Sequence, residues 1–92
     1  MFNKANELLF SQQFKESLKC YDELLNINPD HIGALNNKAT ILAEIGKLDE
    51  SIEFYNRSIL LDLNNAEALY NKAGILTTMG KLKEAIQCID EV

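Results

Sequence analysis

The stretch Ala34-Leu35-Asn36-Asn37-Lys38-Ala39 decides how this chain is read. Its last three letters return as Asn3-Lys4-Ala5 and as Asn71-Lys72-Ala73, each copy 34 residues after the one before. Self-similarity at a period of roughly 20–50 residues marks a stacked repeat. Around the central copy, Ala34, Leu35, Ala39, Leu42 and Ile45 recur at helical offsets and predict one helix face. Gly46 follows, where a left-handed C-cap is least costly. Leu48, Ser51, Ile52, Tyr55, Ile59 and Leu63 predict a second face.

The flanking units repeat this pattern. Met1, Ala5, Leu8 and Leu9 predict a helix over 1–11, with a turn at Ser11–Gln13. Phe14, Ser17, Leu18, Tyr21, Leu24 and Leu25 predict its partner, ending near Ile27. Asn28-Pro29-Asp30 stops that helix, because proline has no N–H and biases the preceding residue away from helix. Asp30 is expected to cap the next helix. In the third unit Asn64-Asn65 is the expected cap. Ala66, Leu69, Ala73, Leu76 and Met79 precede Gly80, and Leu82, Ala85, Ile86, Ile89 and Val92 follow it. The expectation is therefore an all-α chain of six helices in three hairpins, with units at 1–31, 32–65 and 66–92. Small residues recur once per unit, Ala5, Ala39 and Ala73 in one helix and Ser17, Ser51 and Ala85 in its partner. They allow close approach, with Tyr21, Tyr55 and Ile89 filling the space beside them.

Composition narrows the function classes. Of 92 residues, 47% are hydrophobic and 25% charged, as in a globular chain. The net charge of −5 disfavours phosphate backbones, which are bound by Lys and Arg displacing counterions, and disfavours anionic membrane surfaces. No apolar run approaches the roughly 18 residues of a membrane span. The N-terminal residues lack a signal-peptide core. Cys20 and Cys88 lie 68 residues apart, two whole periods, too far for a bridge in a helix stack. Free thiols fit a reducing compartment, so a cytoplasmic location is expected. His31, the single histidine, lies at a helix start beside Asp30 and reads as a surface or capping residue rather than a base. Neither a phosphate loop nor a metal-spaced Cys/His cluster occurs, so no catalysis, cofactor or metal is expected. Asp49-Glu50 and Asp90-Glu91 read as solvated face, the first pair complementing a helix N-terminus.

The pattern resembles the tetratricopeptide repeat. In the middle unit Leu35, Ala39, Leu42, Gly46, Ser51 and Tyr55 match its large-small-large pattern, turn glycine, small residue and aromatic. Pro29 closes the first unit as that family would, whereas Leu63 replaces proline in the second. Lys4, Lys38 and Lys72 stand where leucine is usual; each stem can be buried with the ammonium at the surface. The resemblance implies a right-handed α-solenoid. It also implies that both ends are cut, leaving Ile86, Ile89 and Val92 uncovered for self-association or for a longer array.

The resemblance implies, too, a concave groove lined by the first helix of each unit. Phe2, Asn3, Asn6, Leu9 and Phe10 would line it from the first unit, and Asn36, Asn37, Thr40, Ala43 and Glu44 from the second. Glu67, Tyr70, Asn71, Gly74, Thr77 and Thr78 would line it from the third. The column Asn3, Asn37, Asn71 offers one carboxamide per unit, donor and acceptor together, to an extended main chain. The alternative is that these asparagines bond within the protein itself. Asn6 and Asn37 match a subclass that clamps C-terminal carboxylates, but Phe2, Glu67 and Asn71 stand where it uses basic residues. The expected partner is an extended internal peptide segment, neutral or mildly basic, held by Phe2, Asn3, Asn6, Asn36, Asn37, Thr40, Tyr70 and Asn71. Self-assembly is the alternative function.

Overall fold

In the computed structural model, residues 3, 4, 6, 7 and 13–90 are described, the last two through their backbone. Residues 3, 4, 6 and 7 are helical. Five helices follow: α1 (Phe14–Ile27), α2 (Ile32–Glu44), α3 (Leu48–Leu61), α4 (Ala66–Thr78) and α5 (Leu82–Asp90). No strand occurs among the described residues. The sixth expected helix, over 1–11, falls largely outside them.

The helix ends repeat with the sequence. Asn28 is extended (φ −136°, ψ 87°), as its neighbour Pro29 requires. Its Oδ1 accepts from the Asp30 N–H at 3.3 Å, and its carbonyl accepts from His31 N–H at 3.1 Å. One period on, Asp62 does the same without a proline. Its Oδ1 accepts from Asn64 N–H at 3.0 Å and its carbonyl from Asn65 N–H at 3.1 Å. The side-chain turn is common to both units and forms with or without the proline ring. Leu63 belongs to this turn and is 72% exposed, not part of the α3 face as its spacing suggested.

The cap of α2 is His31, not Asp30. Its Nδ1 accepts from Ala34 N–H at 3.0 Å, and Asn65 Oδ1 accepts from Ala68 N–H at 3.1 Å at the start of α4. A cap must reach the N–H three residues ahead, and the turn over Asn28–Asp30 puts His31 at that position. Both hairpins close on a left-handed glycine, Gly46 (φ 87°) and Gly80 (φ 80°). Behind each, the next N–H reaches back to a helical carbonyl at 2.8 Å, Lys47 to Leu42 and Lys81 to Leu76.

The helices pack as a stack: α2 on α3 and α4 on α5 within hairpins, α1 on α2 and α3 on α4 between them, with α2 also touching α4. Buried residues fall in columns one period apart: Ala34 with Ala68, Leu35 with Leu69, Ala39 with Ala73, and Ile41 with Ile75. Ser17, Ser51 and Ala85 are all buried. Ser51 shows why the column stays small, since its Oγ donates to the Ala39 carbonyl at 2.6 Å across the hairpin. Tyr21 and Tyr55 fill the space alongside and are almost fully enclosed.

The core divides into three clusters. One holds Tyr21, Leu24, Ala34 and Ile41, the second Ala39, Tyr55, Ala68 and Ile75, and the third Ala73, Leu76, Ala85 and Cys88. Ile52 packs against both the second and the third. Lys38 fills the leucine position with its side chain 19% exposed. Its Nζ lies 2.5 Å from Asp22 on α1 and 4.4 Å from the Phe54 ring centre on α3, so one ammonium ties three helices.

Two glycines give opposite expectations. At Gly46 the positive φ penalises any Cβ, and Gly46→Ala should cost about 1–2 kcal/mol. Gly74 lies inside α4 with nothing within 4 Å of an added Cβ, so Gly74→Ala should add about 0.5–1 kcal/mol. Urea unfolding followed by circular dichroism measures both, and shifts of the same sign would contradict the assignment.

Candidate functional site

Because α2 and α4 are successive first helices of the stack, their like-facing side chains bound one trough. Thr40, Ala43 and Glu44 form one wall, and Tyr70, Asn71, Gly74 and Thr78 the other. Leu48, Tyr55 and Ile75 form the floor. The cavity holds about 410 Å³, toward the small end of the roughly 300–1,000 Å³ of ligand clefts. Gly74 contributes no side chain, which deepens the trough on the α4 side.

A hydrogen-bond chain organises the floor. Thr40 Oγ1 donates to the Asn36 carbonyl at 3.0 Å. Its single proton is then used, so the Tyr55 hydroxyl, 2.7 Å away, donates to Thr40. Asn71 acts on the same phenol as a further hydrogen-bond partner. The preceding unit shows the parallel arrangement. Tyr21 Oη donates to Asn6 Oδ1, and Asn37 Nδ2 donates to Asn6 Oδ1 at 2.8 Å and to Tyr21 Oη at 3.1 Å. Asn37 and Asn71 therefore each sit beside the tyrosine of the unit before, Tyr21 and Tyr55.

These positions sort the expected contacts. Thr40, Tyr70 and Asn71 come together in the trough. Tyr70 is 54% exposed and Asn71 half-buried. Asn37 and Asn6 are half-buried and bonded to one another and to Tyr21. Asn36 is buried at 6% exposure, with its Oδ1 lacking a hydrogen-bond partner, so it presents no surface to a ligand. Asn3 is exposed, and Phe2 lies outside the described residues. On α5, Ile86 is 59% exposed; the Ile89 side chain and Val92 lie outside the described residues. Sequence reasoning missed the floor residues Leu48, Tyr55 and Ile75. The signal available for Tyr55 was its hydroxyl, since a buried phenol needs a partner and Thr40 and Asn71 are spaced to supply one.

Burial raises the pKa of both tyrosines above the ordinary 10.0. At Tyr55 hydrogen bonds from Thr40 and Asn71 oppose the rise, while the charges of Glu67 and Glu44 add to it. At Tyr21 hydrogen bonds from Asn37 and Ser17 oppose it, and Cys20 adds to it. No cluster of three or more metal-capable side chains occurs among the described residues. Cys20 and Cys88 are unpaired thiols.

A tetratricopeptide repeat family model matches residues 20–53, and a second of the same description matches residues 1–31 and 66–92. The chain belongs to the tetratricopeptide repeat family. No curated protein matches it in sequence. Solved tetratricopeptide-like structures match over nearly its full length. The second such domain of Spaghetti (RPAP3), bound to the HSP90 peptide SRMEEVD, is 22% identical with a TM-score of 0.90, covering 97% of this chain and 82% of that one. The type III secretion chaperone SycD of Yersinia enterocolitica, in complex with a peptide of the translocator YopD, is 17% identical at a TM-score of 0.93, covering 98% and 69%. The TPR2B domain of yeast Sti1, in a complex with pHsp70, is 23% identical at 0.89, covering 95% and 70%. At these identities the likeness establishes the fold, the all-α solenoid of helix hairpins.

The tyrosines give the tetratricopeptide repeat an alkaline limit. A phenol whose folded pKa lies above its unfolded value contributes stability below about pH 10, and that contribution is lost as pH rises from there through the folded value. The melting temperature of the natural chain should fall more steeply between about pH 9 and about pH 11 than that of the Tyr21→Phe/Tyr55→Phe variant. Equal slopes in a thermal melt would show that the phenols do not matter.

Proposed function

We propose that the chain is a non-catalytic protein-interaction module that holds an extended peptide segment in the trough between α2 and α4. The observation that carries this reading is the open cavity of about 410 Å³, with the Tyr70 ring, the Asn71 carboxamide and the Thr40 hydroxyl gathered on it. Tyr70 supplies contact area at small entropic cost, and Asn71 offers donor and acceptor to a main chain. Structures of the same fold bound to the peptide SRMEEVD and to a YopD peptide support an extended occupant. The grip differs from a three-rung asparagine ladder. Asn37 is engaged by Asn6 and Tyr21, so it positions the unit boundary, and Asn71 is the rung that meets the ligand. The acidic balance argues against nucleic acid. The unpaired thiols support a cytoplasmic location. No helix among the described residues is long and apolar enough to cross a membrane.

A second reading, self-assembly, rests on α5. Leu48 and Ile52 of α3 are half-buried where α4 and α5 follow them, whereas Leu82 and Ile86, one period later, are each 59% exposed. A second copy would cover that face, and Leu82 and Ile86 carry this reading.

Gly74→Leu places a branched side chain in the trough from a position where the added Cβ meets nothing within 4 Å. Peptides selected on the natural chain from a random phage library should lose at least about tenfold in affinity on Gly74→Leu, with the fold intact by circular dichroism. Unchanged affinity would remove the trough as the site. Light scattering at micromolar concentration tests the second reading: a dimer that Ile86→Lys converts to a monomer supports it, and a 10.4 kDa monomer in the natural chain rules it out.

A further inference from the structure

We infer that this trough selects a cationic side chain, a lysine or arginine of the bound segment, seated against the Tyr70 ring between the carboxylates of Glu44 and Glu67. The inference rests on the peptide-binding reading and names the chemistry that reading leaves open. Glu44 is the last residue of α2, is exposed, and lines the cavity. Tyr70 lines the opposite wall, more than half exposed. Glu67 lies in the first turn of α4, three residues before Tyr70, a spacing that puts both side chains on one helix face.

Both carboxylates act electrostatically on the Tyr55 hydroxyl in the trough floor. Glu44 lines the cavity itself, whereas Glu67 stands outside its lining, one helical turn before Tyr70, so the two charges approach from different helices. Among the described residues neither Glu44 nor Glu67 has an ion pair, and no lysine or arginine lines the cavity. Lys38 and Arg57 are committed to the Phe54 ring, and Lys38 also to Asp22. Two unneutralised carboxylates beside an open aromatic face suit a guanidinium or an ammonium. The cation gains charge pairing from two sides and the ring's negative face from a third. The Asn71 carboxamide, donor and acceptor together, is left to hold the main chain beside that side chain. The same field repels a segment whose side chain at that place is acidic.

Two phage libraries of eleven-residue peptides test this, one with arginine fixed at the centre and the other with glutamate. Both are selected on the natural chain and on Glu44→Gln/Glu67→Gln. The arginine library should be enriched at least about tenfold over the glutamate library on the natural chain. Its best peptide should lose a similar factor on the double variant and bind more weakly as salt is raised. Equal enrichment of the two libraries, or a best peptide indifferent to the double substitution, overturns the cation site. Gly74→Leu separates the two layers: if it abolishes binding of peptides that ignore the glutamates, the trough stands and the cation preference falls. If it leaves binding untouched, the trough itself is refuted. A failure of both libraries to give any binder refutes both.

Discussion

Close approach of paired helices is the constraint from which the rest follows. It is enforced where a small side chain faces a backbone carbonyl, as when the Ser51 hydroxyl meets the Ala39 carbonyl at 2.6 Å. A larger residue at Ser17, Ser51 or Ala85 would push its hairpin apart. Tyr21 and Tyr55 would then lose their enclosure, and the first helices their spacing. Since a small buried residue returns every period, at Ser17, Ser51 and Ala85, the hairpins are near copies and the stack is regular. A trough between α2 and α4 is a geometric result of that regularity. No loop or insertion has to build it.

The tyrosines connect core to surface. The body of Tyr55 packs with Ala39, Ala68 and Ile75, while its hydroxyl reaches Thr40 at the cavity floor. Tyr21 does the corresponding work one unit earlier, where Asn6 and Asn37 close a small polar network around its hydroxyl. The difference between the two sites comes from one column: Asn6, Thr40 and Gly74 occupy it in successive units. Carboxamide, hydroxyl and hydrogen form a descending series of size.

Much of the fold was legible because it is written three times. The period, the turn glycines, the buried alanines and the asparagine cap at Asn65 all follow from letters alone. What failed depended on registers of a single residue. Asp30 has the better capping chemistry, but His31 occupies the position from which the Ala34 N–H can be reached. Leu63 continues an apolar spacing, but the Asp62 turn has already ended the helix. At the site, sequence placed Thr40, Tyr70 and Asn71 together. It did not reveal that Asn36 would be buried, because its register-mate Tyr70 is exposed. Equivalent letters share a backbone place, but their burial depends on which neighbours flank them. The partnership of Asn37 with Tyr21 was hidden for a related reason: it crosses a unit boundary, and periodicity says nothing of which side a polar group will turn to.

The shared side chain of Ile52 has a mechanical meaning. It is one stud gripped by two successive clusters, so the second and third hairpins fasten like adjoining teeth of a zipper. Such an array opens progressively, because each tooth is held mainly by the next. The trough straddles the same seam, so the stud that fastens the two hairpins also holds the two walls of the trough together.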